Sequence, residues 1–526
     1  MQAMLEDIEL LLDQSEAGGG PKAHARLAER GKLPARERVA LLLDPDAPFI
    51  EISPLAAYDS DYAVGGGCVV VVGLVAGIEC VIFAFDPSVL GGALTPYVIK
   101  KWMRALEIAR DNCIPYISFV ESAGADLRLG NADARSSTGI RAARVEHFAE
   151  TGRFFYEMTQ LSKNRIPTVC VVFGSSTAGG AYQPGLSDYN IFIRDRSKVF
   201  LAGPPLVKMA TGEQSDEETL GGAEMHATTS GLADYLAEDE WDAIRQCREV
   251  ISHLNWRKAA NVGAGVSDIA EPVLDHEELL GIFGRDLRNP VDIREVIGRV
   301  VDGSRFEEFK ALYGSTLICG WASIYGRTVG ILGNNGIILP AAAEKGAHFI
   351  QLCNQIDVPL IFLQNITGFM VGREYERAGI IKKGAQLVNA VSNSTVPHIT
   401  IVVGSSYGAG TYGMSGRAFG NRFTFLWPSA RIAVMGPKQI AGVMSLVRRG
   451  QAARAGVEFD EEADRAVVAQ AESAQEKVSM ALEATGSISD DGIIDPRDTR
   501  AVVGFCLSVA ENRQVQGAEG FGVFRL

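Results

Sequence analysis

GSSTAGGAY, from Gly174 to Tyr182, and GSSYGAGTY, from Gly404 to Tyr412, stand 230 positions apart in one chain of 526 residues. Self-similarity at a fixed spacing constrains a fold more than any single motif, because both copies must bury the same apolar faces. Each stretch follows a β-branched run opened by a hydrophobic-Pro pair, IPTVCVVFGSS from Ile166 and VPHITIVVGSS from Val396. Upstream, IPYISFVESAGADL from Ile114 matches VPLIFLQNITGFMV from Val358, an apolar strand running into a small-residue loop, at an offset of 244. Two amphipathic helices opened by Pro96 and Pro340 precede those strands, and Lys101 and Lys345 keep the same offset. Still earlier, RVALLLDPDAPFIEI (38–52) and EVIGRVVDGSRFEEF (295–309) share a helix, an Asp-led turn and Phe-x-Glu.

These runs make the chain two copies of one α/β unit. The offset shrinks from 244 to 230, so the first copy carries 14 extra residues, placed in the Gly/Ser/Arg-rich segment 128–148. The small, polar segment 261–272 marks the boundary, giving domains at 1–265 and 266–526. The apolar run Cys68–Phe85 is long enough for a membrane span, but Gly73, Gly77 and Glu79 interrupt it. It reads as two strands around a turn at Ala76-Gly77. The segment from Gln451 to Gly486 has helical spacing and an acidic, solvated face.

Charge and cysteines exclude several functions. The net charge of −14 predicts no nucleic acid or anionic membrane partner. Eight scattered cysteines without a C-x-x-C pair argue against a zinc ribbon or a disulfide framework, and no metal site is expected. The N-terminus, MQAMLEDIELLLDQSE, is acidic where a secretion signal is basic, so a cytoplasmic location is expected.

A strand–Gly-rich turn–helix aims backbone N–H groups at an approaching anion. Neither copy ends in the Lys-Ser/Thr of a nucleotide P-loop. Gly408, Gly410 and Gly413 have dinucleotide-loop spacing, but no ribose-binding acid follows. What remains is an oxyanion hole built from two loops. In the first copy these are Ser122-Ala123-Gly124-Ala125 and Ala178-Gly179-Gly180-Ala181, and in the second Thr367-Gly368-Phe369 and Ala409-Gly410-Thr411. One such loop alone does no more than close a turn; four in matched pairs point to chemistry. None of the seven histidines, His147 and His226 included, pairs visibly with a nucleophile. Glu121, Asp126 and Asp188 lie near the first loops as candidate acids or bases, although charged residues at loop mouths more often cap or meet solvent. Lys100, Lys101 and Arg104 form a charged helix face of the kind that usually meets solvent, and are candidates for a phosphate-bearing ligand only if one binds there.

The motifs GGGPKAHARLAERGKL, ESAGADL, GSSTAGGAY, FLAGPPLVKMATGE, LGGAEMHATTSG, NITGFMVG, YGAGTYGMSGRAF, WPSARIAVMG and DDGIIDPRDTR resemble the carboxyltransferase (β) subunits of biotin-dependent acyl-CoA carboxylases over about residues 20–520. The text at 408–418 sides with the methylcrotonyl and geranyl group, although Thr411 and Ser415 replace its usual Asn and Cys, and 128–148 departs from it.

The resemblance implies two tandem crotonase-like (ClpP/crotonase superfamily) domains. It implies an acyl-CoA site with Ser122, Gly124, Ala125, Ala178 and Ala181, where Gly179 and Gly180 hold the thioester enolate. It implies a biotin site with Gly368, Phe369, Ala409, Gly410 and Thr411, where Gly410 and Thr411 hold the ureido oxygen. CO2 then passes from carboxybiotin to an acyl-CoA, with a 3-methylcrotonyl-like substrate favoured, and biotin's own N1′ takes the substrate proton. Propionyl-, acetyl- or longer acyl-CoA, or a biotin-independent crotonase-type enzyme, are the alternatives. Biotin would arrive on a biotin carboxylase/carrier α subunit, the β chains forming a hexamer with active sites between subunits.

Overall fold

The computed structural model describes residues 1–126, 151–259, 269–284, 287 and 289–524. The 128–148 segment, His147 and the boundary at 265/266 lie outside the described residues.

The run Cys68–Phe85 forms a hairpin of β2 (Cys68–Val75) and β3 (Ile78–Phe85), in register from Cys68↔Phe85 to Val75↔Ile78. Ala76 and Gly77 make the turn with φ of 50° and 78°, as a two-residue hairpin demands. β1 (Phe49–Glu51) flanks β2, and β4 (Tyr116–Ser122), β5 (Thr168–Thr177), β6 (Tyr189–Ile193) and β8 (Tyr235–Ala237) continue beyond β3 in parallel. β7 (Lys198–Phe200) pairs with the far end of β5.

The second copy repeats this plan. β9 (Glu307–Phe309) flanks the hairpin of β10 (Leu317–Ile324) and β11 (Arg327–Asn334). Parallel strands β12 (Leu360–Ile366), β13 (His398–Tyr407) and β14 (Phe423–Leu426) follow, and β15 (Arg431–Ala433) pairs with the far end of β13. Ile493, bridging Leu426, stands where β8 stands in the first sheet.

Parallel neighbours need long crossovers. The helices Pro96–Asn112 and Pro340–Gln355 supply two of them, so the strands are covered on both faces and read as unbroken apolar runs. Val69, Val71 and Ile82 face the helices Ala35–Leu42 and Glu240–His253. Val70, Val72 and Phe83 face the opposite way, where Trp102 stacks between Phe83 and Phe154 at centroid distances of 5.3 and 4.1 Å. That second cluster continues through Ile331, Ile361, Ile401 and Val503, so the two repeats share one core.

Polar pins repeat as well. Asp44 accepts from the hairpin-turn amides of Ala76 and Gly77 at 2.8 and 2.6 Å and pairs with Arg248 at 2.7 Å. Asp302 accepts from Tyr325 and Gly326 at 3.0 and 2.7 Å and pairs with Arg500 at 2.7 Å. Arg36–Glu51 and Arg294–Glu308 form a second matched pair, each through two guanidinium nitrogens.

The junction between copies is polar and buried. Arg104, on the first copy's crossover helix, holds Asp491 through Nε at 2.7 Å and Nη2 at 2.8 Å, and donates to the carbonyl of Arg422 at 2.7 Å. Glu79 accepts from Lys258, Ser508 and Asn512. Arg104 holds the Asp491 carboxyl below its ordinary value despite burial, whereas burial pushes Asp490 up to about 7.

Two outcomes are expected. Arg104→Met strands a buried carboxylate and should lower unfolding stability by about 3–5 kcal/mol in urea titrations. The folded state holds the Asp490 proton to higher pH than the unfolded chain, so its contribution is full below about pH 4 and is lost as pH rises through about 7. Asp490→Asn should therefore gain stability relative to the parent between about pH 4 and 8, on the order of 2–4 kcal/mol; a flat difference across that range would refute the assignment.

Candidate active site

Both loop pairs sit at the C-terminal ends of parallel strands, where α/β sheets place their ligands. The first loop of each pair is pinned by a short bridge. Leu94 donates to the Gly124 carbonyl at 2.8 Å and accepts from Asp126 at 3.4 Å. Ile338 donates to the Gly368 carbonyl at 2.9 Å and accepts from Met370 at 3.0 Å. By the alternation of a β ladder, the N–H groups of Ala125 and Phe369 face the other way. Neither has an acceptor among the described residues.

The second loops leave their strands through a left-handed residue, Ala178 at φ 52° and Gly408 at φ 63°. The next two amides, Gly179-Gly180 and Ala409-Gly410, also have no acceptor among the described residues. Glycine fits the inner position because side chains at the strand ends leave no room for a Cβ. A Cβ on Gly180 would lie 2.9 Å from Ser176 Oγ, and one on Gly410 would lie 2.5 Å from Ile366 Cγ2. Each half thus presents a small, backbone-lined cradle of unpaired donors.

The remaining expected residues frame these cradles. Ser122 is buried, donating to the Gly92 carbonyl at 2.8 Å and accepting from Gly124 at 3.2 Å, so it shapes the first loop. Ala181 is buried behind Gly180. Thr411 differs from the expectation: its N–H donates to the Gly408 carbonyl at 3.2 Å. Its hydroxyl instead bonds Ser406 Oγ at 2.8 Å, which in turn donates to Gln364 at 2.6 Å. This Gln364–Ser406–Thr411 brace was not foreseen, although the shared GSS text already placed a serine at 176 and 406. Ser415 lies elsewhere, buried against His398 Nδ1 at 2.9 Å, so its departure from the family text concerns packing behind the sheet.

Most candidate side chains turn out to be structural. Glu121 binds Lys32 and, at 3.1 Å, Arg38, whose guanidinium also grips Glu240 at 2.9 Å. Asp188 accepts from Thr168 N and Oγ1 and from Ser162, at the opposite end of β5 from the loops. Asp126 stays beside Ala125, buried and accepting from Tyr62 at 3.4 Å. His226 bonds Ser230 and the Val199 carbonyl. Burial pushes the Cys68 and Cys170 thiols up to about 11 and 12, so neither is a thiolate nucleophile.

The expected phosphate partners are corrected. Lys101 is fully buried and donates to the carbonyls of Gly65 and Cys68, and Arg104 is committed to Asp491. Lys100 reaches the Ser487 carbonyl at 3.3 Å. Lys101 and Arg104 therefore face the core and the junction, whereas Lys100 stays exposed. Among the described residues, no group of three or more His, Cys, Asp or Glu could hold a metal, and no helix is long and apolar enough to cross a membrane.

Paired backbone cradles of amides without an acceptor among the described residues stand at equivalent positions of two repeated α/β sheets. Residues 26–523 match the carboxyl transferase domain, and the chain belongs to that family. It is 52% identical over 527 residues to the probable biotin-dependent acyl-coenzyme A carboxylase beta2 subunit of Mycobacterium tuberculosis, covering 100% of this chain and 96% of that one. It is 46% identical over 543 residues to the probable mitochondrial methylcrotonoyl-CoA carboxylase beta chain of Drosophila melanogaster, covering 100% and 92%. The crystal structure of the P. aeruginosa geranyl-CoA carboxylase beta subunit superposes with a TM-score of 0.87 at 41% identity, over 99% of this chain and 96% of that one.

Asp188→Asn should cost about 1–3 kcal/mol of stability through its three lost or weakened hydrogen bonds. Turnover per folded molecule should be unchanged; a collapse of kcat in a folded variant would reinstate Asp188 as a base.

Proposed function

We propose that this carboxyl transferase is the β subunit of a biotin-dependent acyl-CoA carboxylase, moving CO2 from carboxybiotin to the enolate of an acyl-CoA, with a 3-methylcrotonyl-like branched enoyl-CoA favoured. The observation that carries the proposal is the matched set of unpaired amides, Ala125, Gly179 and Gly180 in one half and Phe369, Ala409 and Gly410 in the other. The Drosophila relative is named for methylcrotonoyl-CoA and the P. aeruginosa neighbour for geranyl-CoA, both branched enoyl thioesters, which supports that substrate class.

In this reading the chain is two tandem crotonase-like domains, 1–265 and 266–526, and the repeated strand order supports that division. The amides of Gly180 and Ala125 donate to the thioester oxygen as negative charge builds on it. The second cradle fits a ureido oxygen: it is small, apolar-walled by Ile366, and offers donors without a competing acid. Carboxybiotin supplies the CO2 and, once it has released it, the base for the substrate proton. That leaves the chain to orient the two oxygens, and it agrees with Glu121 and Asp188 being tied into the scaffold. Thr411 holds the second loop through Ser406, and Gly410 and Phe369 are the donors.

Apolar side chains stand exposed on the helices that follow the two glycine loops in the chain, Leu206 and Met209 on Pro204–Thr211 and Val443 and Leu446 on Pro437–Ala455. Their exposure supports a site completed between β subunits, in a hexamer bound to a biotin carboxylase/carrier α subunit. All eight cysteines are unpaired, which supports the reducing cytoplasm.

Capture of a biotinylated partner, followed by ATP- and bicarbonate-dependent turnover on a panel of acyl-CoAs, tests the proposal; absence of any biotin protein would sink it. Gly180→Val should lower carboxylation by about 10²–10³-fold or more while biotin-protein binding survives. Equal loss of both would break the assignment of one guest to each half.

A further inference from the structure

At the opposite end of β13 from the Gly408–Gly410 loop, roughly 30 Å away along the strand, lies a cleft of about 600 Å³. Its walls come from the C-terminal turn of the helix Pro96–Asn112, the start of β13 at His398, and the segment Arg513–Glu519. The volume is in the range of small-molecule sites and larger than a bare ion requires.

Three carboxylates (Glu107, Asp111, Glu519) and three guanidinium groups (Arg110, Arg422, Arg513) line the cleft, but they are not all paired with one another. Glu107 is engaged by Arg104 at 2.7 Å and Arg417 at 3.1 Å, and Asp111 by Arg110 at 3.0 Å. Glu519 stands at the exposed rim. Among the described residues, Arg513 reaches only the Asp111 carbonyl, at 3.5 Å. The Arg422 side chain is half-buried and makes no hydrogen bond or ion pair with the described residues. Burial, with Arg513 and Arg104 nearby, pulls its guanidinium down to about 10 against the pull of Asp111. A recessed guanidinium with no directly bonded anion is costly, and a planar fork of donors beside a second arginine suits a tetrahedral oxyanion. His398 cannot compete as a cation, since burial drives it down to about 3 between Ser394 and Ser415.

We propose that this cleft binds the phosphate group of a small molecule through Arg422 and Arg513, bridging the first copy, the second copy and the C-terminal segment. None of the loop residues assigned above to carboxyl transfer lines it.

The test is calorimetric titration of the full chain with inorganic phosphate and with phenyl phosphate, against sodium chloride at matched ionic strength. Saturable binding is expected, weakened about 10-fold or more by Arg422→Gln and less by Arg513→Gln at the rim, and retained in Gly180→Val. Binding of phenyl phosphate assigns the cleft to a phosphate ester, and binding of inorganic phosphate alone assigns it to the free ion. No saturation with either probe up to about 10 mM, or equal affinity in the parent and both arginine variants, overturns the proposal. Because Arg513 is exposed, its variant keeps the test decisive if Arg422→Gln fails to fold.

Discussion

Between Val120 and Ser122, and again between Gln364 and Ile366, the parallel ladder to the next strand shifts register. A shift of this kind leaves backbone groups without ladder partners, and buried backbone groups without partners are costly. The surrounding structure is arranged to hold it. Leu94 and Ile338 recover some of the loop's hydrogen bonds, Ser122 recovers another, and β7 and β15 take up the far ends of β5 and β13. Among the described residues, Ala125, Gly179, Gly180, Phe369, Ala409 and Gly410 still have no acceptor for their N–H groups.

Holding two such cradles in one chain also requires that the copies not drift apart. The shared apolar cluster contributes without direction, whereas Arg104–Asp491 and the Glu79 network contribute geometry. Buried ion pairs of this sort add little net stability but penalise any arrangement that separates the partners. The crossover helix that carries Trp102 on the core face carries Arg104 on the junction face, so one element fixes both contacts.

Side-chain roles were much harder to read from sequence than backbone roles. Lys100, Lys101 and Arg104 look like a phosphate-binding face because a charged stripe on a helix normally meets solvent. Here the stripe meets carbonyls at Gly65 and Cys68 and a carboxylate 387 positions away. Glu121 and Asp188 misled in the same way: each is adjacent to a loop or strand end, and each is held by residues far off in the chain, Lys32, Arg38 and Ser162 among them. Thr411 is a subtler case, since its place in the glycine loop was legible but the direction of its N–H was not.

The sequence by itself determined the repeat, the strands and crossover helices, the Ala76-Gly77 hairpin and the four loops that carry unpaired amides. Those follow from local rules: side-chain periodicity, β-branching, and the use of glycine in tight, strand-ending turns. Tertiary structure alone decided that the repeats share a core, that Lys101 and Arg104 are structural, and that Arg422 makes no side-chain hydrogen bond or ion pair among the described residues. The reason is physical: which groups a polar side chain meets depends on segments hundreds of residues apart, and no local pattern encodes that distance.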